Sequence, residues 1–193
     1  MSSDNPLKNI YNAYRVANDC FKVARRAIAK AEENGYLLSR TNFVGATLDE
    51  ATTGLEGAVN QASDLAILAL FATFERWLIE HLQCAKGLIG TGHPNGYSKK
   101  LADKFEVAVE RWRIEEILDL FDIEVDTQLI TRAKQIKKYR DWIAHRNPQK
   151  STPANATPEV AFEVLTDLID QIRKAHKSPT LQSAPQWNMT VAD

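Results

Sequence analysis

Ala62-Ser63-Asp64-Leu65-Ala66-Ile67-Leu68-Ala69-Leu70-Phe71-Ala72-Thr73-Phe74-Glu75-Arg76-Trp77-Leu78-Ile79-Glu80-His81-Leu82 decides the fold. The stretch is rich in helix formers and apolar almost all the way round its helical wheel. A helix with no broad polar face has to be surrounded, which marks it as the buried centre of a bundle. Its longest apolar run, Leu65 to Phe74, is about half of what a membrane span requires.

Helical periodicity extends outward from this centre in both directions. Upstream, Ile10, Tyr14, Ala17, Phe21, Ala24 and Ile28 recur at spacings of three and four, giving one apolar stripe. That predicts a first helix from about Pro6 to Asn34, capped by Asp4 or Asn5 and stopped by Gly35. Tyr36 to Thr47 reads as a loop. The central region runs from Leu48 to Ile89, and Gly54 and Gly57 predict a kink or break in its first half.

Downstream, Gly90 to Gly96 is a turn. Leu101 to Phe121 is expected to be one helix, with Phe105, Val109, Trp112, Ile117 and Leu120 facing inward. A further helix begins at Asp126 or Thr127 and reaches about His145, because Asn147 precedes Pro148 and avoids helical geometry. Lys150 to Thr157 is a polar loop, and Pro158 to Lys174 is a closing amphipathic helix carrying Val160, Phe162, Val164, Leu165, Leu168 and Ile172. The fold class is therefore all-α, an up-and-down bundle of about five helices. Residues 5–176 form its single domain. Residues 177–193 lack periodicity and are expected to be a disordered tail.

Composition narrows the function. With 193 residues and a net charge of -1, the chain has room for a core but no global basic field. Any nucleic-acid contact must use a local patch. There is no Gly-rich phosphate loop, no CxxC pair and no HExxH, so neither a cofactor nor a metal site is expected. Cys20 and Cys84 lie within apolar helical patterns, which predicts two buried free thiols in a reducing compartment. No signal-like segment is seen at the N-terminus. A soluble, cytoplasmic protein with no membrane contact is the expectation.

Chemistry concentrates near the end of the late helix, in Tyr139-Arg140-Asp141-Trp142-Ile143-Ala144-His145-Arg146-Asn147-Pro148. A guanidinium holds phosphate through a rigid fork of donors. An imidazole exchanges a proton near neutral pH. On a helical wheel Leu129, Ile130, Ala133, Ile136, Ile143 and Ala144 share the apolar face, and Arg140 sits at its edge. His145 lies about 140° round from Arg140 and about 7.5 Å along the axis. The two groups can meet on one ligand only if the helix ends near His145, or if a second copy supplies one of them. The plainer alternative is a capping His145 and an Arg140 that snorkels from the core edge.

Lys134, Lys137, Lys138 and Arg146, with Arg132 and Lys150, make this stretch basic, and Asp141 is its only acid. RNA phosphates would be attracted to it, and Tyr139 and Trp142 offer faces on which bases could stack. Glu75 is the other unusual residue. A carboxylate among Phe71, Phe74, Leu78 and Ile79 needs a cationic partner, and Arg140 is one candidate.

Arg140-Asp141-Trp142-Ile143-Ala144-His145 resembles the motif of the HEPN superfamily, small helical bundles with Arg, four to six residues, then His near the end of a late helix. Asp141 occupies the position that often holds Asn, Asp or His. Phe74-Glu75-Arg76-Trp77-Leu78 is similar to the helix that supplies a supporting acid in many relatives. The resemblance implies a metal-independent endoribonuclease with Arg140 and His145 catalytic and Asp141 and Glu75 supporting. It implies RNA cleavage to a 2′,3′-cyclic phosphate, a homodimer, and a role as a toxin or phage-defence effector with an antitoxin or other regulatory protein as partner. Some relatives act only as nucleotide-, RNA- or protein-binding modules, which is the alternative reading. One subgroup has a tyrosine two residues after the histidine. Asn147 stands there, so control by adenylylation of that tyrosine is not expected. A third possibility is a purely structural bundle in which Arg140 and Glu75 form a pair.

Overall fold

The computed structural model describes residues 5–30, 35–145, 153 and 156–176. Among them are seven α-helices, one 3-10 turn and no strand. The helices are α1 (Lys8–Ala29), α2 (Leu48–Gln83), α3 (Lys86–Gly90), α4 (Asn95–Val109), α5 (Ile114–Asp119), α6 (Thr127–His145) and α7 (Pro158–Ala175); the 3-10 turn is Gly35–Leu38. This is an all-α helical bundle, and none of its helices is long and apolar enough to cross a membrane.

The core forms around the second half of α2. Ile67, Leu70, Phe71, Phe74 and Leu78 are each no more than 1% exposed. They pack against Ala133 and Ile136 of α6, Val164, Leu165 and Leu168 of α7, and Ile117 and Leu118 of α5. Burial on this scale contributes about 1.5–3 kcal/mol for each large apolar side chain. Glu75 interrupts the run and lies at the core's edge.

Polar ties set the order of the helices. Asn5 accepts from the Leu7 N–H at 2.9 Å and donates to Thr166 Oγ1 at 2.8 Å, fixing the start of α1 on α7. At the start of α2, Thr47 Oγ1 accepts from the Glu50 N–H while Glu50 accepts from the Thr47 N–H, a reciprocal cap. Asp126 caps α6 by accepting from the Gln128 N–H, and its own N–H donates to Gln171 on α7. The motif helix is thus held at the position where the sequence places it.

Several expectations are corrected. α2 is continuous through Gly54 and Gly57. Two glycines cost about 1 kcal/mol each relative to alanine, but Ala51 and Leu55 are buried with Ile28 of α1 and hold that turn. The expected helix from Leu101 to Phe121 is two helices. Arg113 takes an extended backbone, and Glu116 accepts from its N–H at 3.3 Å. On one continuous helix Ile114, Leu118 and Phe121 would point about 120–180° away from Val109; the break lets all four be buried. Trp112 and Leu120, expected inward, are 37% and 53% exposed. Cys20 and Cys84 are exposed, Cys20 on α1 and Cys84 just past the end of α2, rather than in the core.

α1 ends at Ala29, short of the expected Asn34. Ala144 is exposed, since it lies at the last turn beyond the reach of the packed helices. The expected helix stop at Asn147-Pro148, most of the Lys150 to Thr157 loop, Arg146, and the 177–193 tail lie outside the described residues.

Candidate functional site

Arg140 extends from α6 across to α2. Its Nη2 donates to Glu75 Oε2 at 3.0 Å. Its Nη1 lies 3.2 Å from Asp141 Oδ1, and its Cζ sits 4.9 Å over the Phe71 ring. The guanidinium is therefore held by two carboxylates and an aromatic face. Its Nε is buried with no hydrogen-bond partner among the described residues. The side chain keeps 24% exposure, so the head group reaches solvent.

The open side of Arg140 is a cavity of about 620 Å³ lined by Glu75, Trp112 to Glu116, Lys137, Arg140 and Asp141. Lys137 bridges its floor, 2.6 Å from Glu115 and 2.8 Å from Asp141. Burial pulls the Lys137 ammonium down, but its bonds to Asp141 and Glu115 outweigh that and hold it above its ordinary value. The hydrogen bond from Lys137 in turn keeps the Glu115 carboxyl below the usual range. Four carboxylates (Glu75, Glu115, Glu116, Asp141) face three cations (Arg113, Lys137, Arg140) in this space. The cavity is charged but not basic.

His145 does not line that cavity. It is exposed at the last turn of α6 and lies on the outer face of the helix, between the Asp141 and Trp142 directions. The helix is regular through His145, so one chain does not bring the imidazole and the guanidinium onto one face.

Two lysines of the stretch that reads as a basic patch are held in ion pairs. Lys134 is paired with Asp119 and Lys137 with Glu115 and Asp141. Arg132 and Lys138 are exposed. Tyr139 is 8% exposed, and its hydroxyl donates to Asp64 of α2 at 3.2 Å. Trp142 is half-buried beside it, with ring centroids 5.9 Å apart. These two rings face a second cavity on the opposite flank of α6 from Arg140, so they are not an open stacking platform beside the motif arginine.

Sequence reasoning missed Glu115, Glu116 and Arg113 as neighbours of Arg140. The signal was present in Arg113-Ile114-Glu115-Glu116, an acidic first turn, but the unbroken helix expected there hid it. Among the described residues, no group of three or more His, Cys, Asp and Glu side chains is placed to hold a metal ion. No family model matches the chain, no curated protein matches it in sequence, and no solved structure matches it.

Proposed function

We propose that this chain is a HEPN-like endoribonuclease that works as a homodimer without a metal ion. The observation that carries the reading is the tethered Arg140: a guanidinium clamped by Glu75 and Asp141 at the mouth of a cavity, five residues before an exposed histidine. A clamped guanidinium is oriented before substrate arrives, which is what stabilising a developing phosphorane charge requires. It carries five N–H donors, and two are engaged by Glu75 and Asp141.

In this mechanism the His145 imidazole takes the proton of a ribose 2′-hydroxyl. The 2′-oxygen forms a bond to the adjacent phosphorus, the bond from phosphorus to the 5′-oxygen breaks, and the leaving oxygen takes up a proton. The products are a 2′,3′-cyclic phosphate and a 5′-hydroxyl. Arg140 binds the non-bridging oxygens as their charge grows. Because the two groups diverge within one helix, Arg140 of one copy acts with His145 of the other. The back of α6, where Lys138 and His145 are exposed, is the face that a second copy must approach. A toxin or phage-defence role, a cytoplasmic location and a controlling protein partner belong to the same proposal and rest on the resemblance alone.

The test is cleavage of labelled single-stranded RNA by the purified chain in excess chelator. The parent is expected to give cyclic-phosphate ends, and Arg140→Ala and His145→Ala to give none while keeping their helical signal. If either variant cuts as well as the parent, the assignment is wrong.

One observation favours a second reading, a non-catalytic RNA- or nucleotide-binding module. The Arg140 cavity carries more carboxylates than cations, which opposes a phosphate more than a finished nuclease site would. Saturable RNA binding at low salt, with no product after long incubation, would select that reading.

A further inference from the structure

Charge is sorted around α4. Its buried side carries Ser98, Ala102 and Val109. The acids of this segment turn toward the neighbouring helices: Asp103 and Glu106 lie 3.2 and 2.7 Å from Lys86 of α3, and Glu110 lies 3.0 Å from Arg76 of α2. The cations turn the other way. Lys104 stands about 100–160° round the helix from those three acids, and Lys100 is one turn before it, about 40° round and about 6 Å along the axis. Arg111, two residues past the end of α4, lines a groove of about 650 Å³ together with Lys104, Val107 and Trp112. Lys100, Lys104 and Arg111 are exposed, and among the described residues none of them is in an ion pair.

We infer that this outward face of α4 binds the backbone of single-stranded RNA, with Lys100, Lys104 and Arg111 on phosphates and Trp112 against a base. The protein gives these cations no acid, and a phosphate chain supplies the charge that they lack. Tyr97 and Trp112 are exposed on the same side, and an aromatic face takes a base only where the strand is unpaired. A membrane surface fits less well. Lys100 and Lys104 stand between Leu101 on one side and Val107 on the other, so sinking the apolar residues into lipid would bury the ammonium groups with them.

The face is continuous with the motif site. Trp112 lines both the α4 groove and the Arg140 cavity. Its ring is held edge-on against Phe105, with centroids 5.7 Å apart. A strand lying on α4 therefore passes over Trp112 into the space that Arg140 faces. The lysines of that space do not supply the same attraction, because Lys137 is engaged by Glu115 and Asp141. Delivery of the strand to Arg140 rests on the nuclease reading; binding along α4 does not.

The experiment titrates the full chain into a labelled single-stranded 2′-O-methyl RNA, which has no free 2′-hydroxyl and cannot be cut, and follows anisotropy at several salt concentrations. The parent is expected to bind saturably, to weaken as salt rises, and to show quenching of the emission that Trp112→Phe removes. Combining Lys100→Gln, Lys104→Gln and Arg111→Gln should weaken binding about tenfold or more and flatten the salt slope by about 2, at about 0.7 for each lost phosphate contact. Glutamine is a good helix former at these exposed positions, so the helical signal should not change. Combining Arg15→Gln, Arg25→Gln and Arg26→Gln on α1 removes equal charge elsewhere and should leave affinity within about threefold of the parent. No saturable binding by the parent, an α4 variant that binds as the parent does, or a larger loss from the α1 variant overturns the proposal. So does binding to anionic vesicles without binding to the RNA. Cleavage of ordinary RNA separates the two readings. Loss of binding in the α4 variant of a chain that cuts nothing supports the α4 face and sinks the nuclease. A parent that cuts, with KM unchanged in the α4 variant, sinks the α4 face and leaves the nuclease standing.

Discussion

Arg140 on α6 and Glu75 on α2 meet through a 3.0 Å hydrogen bond although 65 residues separate them. Each is placed where it would be costly alone. Glu75 follows Phe74 and precedes Trp77 and Leu78, all of them buried. Arg140 lies over Phe71 with its Nε enclosed. The pair satisfies both groups and joins the motif helix to the centre of the bundle. It is also compatible with a purely structural role, so its energetic and chemical contributions have to be separated.

Glu75→Ala should destabilise the chain by about 1–2 kcal/mol, less than the 3–5 kcal/mol of a fully buried pair because both side chains retain contact with water. Glu75→Gln keeps an acceptor and should lose less. Urea denaturation of the three proteins reads this directly. The nuclease reading adds a second expectation: at temperatures where Glu75→Gln is fully folded, its cleavage rate should still fall, because the guanidinium is less firmly held. Full activity in that variant would reduce the pair to a structural tie.

The order of helices was legible because burial imposes periodicity, and periodicity survives in one sequence. Asp126 and Thr127 marked the start of α6 by capping chemistry. The break at Arg113 was not legible. Its cause is the need to bring Ile114, Leu118 and Phe121 onto the core side that Val109 already occupies, and that is a property of the neighbouring helices. The lysines misled for the same reason. Lys134 and Lys137 read as free charge, but their partners Asp119 and Glu115 arrive from α5. The Arg140–Glu75 pair was foreseeable because both residues stood out against apolar neighbours. The exposure of Cys20 and Cys84 was not, since a helix with apolar residues on one face still turns other residues outward.

Mixing two inactive variants tests the shared site. In a dimer of Arg140→Ala with His145→Ala, one of the two sites recovers both an intact guanidinium and an intact imidazole if they come from different copies. Random mixing should then restore about a quarter of the parental rate, half from the share of mixed dimers and half from the one repaired site. If both groups act from the same copy, the mixture stays dead. The assay is RNA cleavage after the variants have been unfolded and refolded together.

Both thiols should react with an aromatic disulfide reagent in the native state. Cys20 and Cys84 are exposed, so access is not gated by unfolding. Absorbance should report two equivalents per chain at the same rate with and without mild denaturant. A single fast equivalent, with the second appearing only on unfolding, would show that one of these faces is covered in the assembled protein.

The last prediction concerns the far end of the bundle. His81 Nε2 and His176 Nδ1 are 3.0 Å apart, joining the end of α2 to the end of α7. One ring must donate and the other accept, so the contact exists only while at least one imidazole is neutral. His81 stacks on Trp77 with ring centroids 5.2 Å apart, and the Arg173 guanidinium lies over the Trp77 ring, 5.5 Å from its centroid. Burial, then the charge of His176, then that of Arg173 hold the His81 imidazole below its ordinary value of 6.5. The unfolded chain therefore binds a proton that the folded chain resists. The contribution to stability is complete above pH 6.5 and is lost as pH falls through the depressed folded value. Glu115, held low by Lys137, acts in a separate and more acidic window, below its ordinary 4.5. Denaturation midpoints measured from pH 8 to pH 5 should fall over this range in the parent. His81→Phe keeps an aromatic ring against Trp77 and removes the titration, so its midpoint should change less over the same interval. Parallel curves for the two proteins would show that the imidazole pair does not govern the pH response.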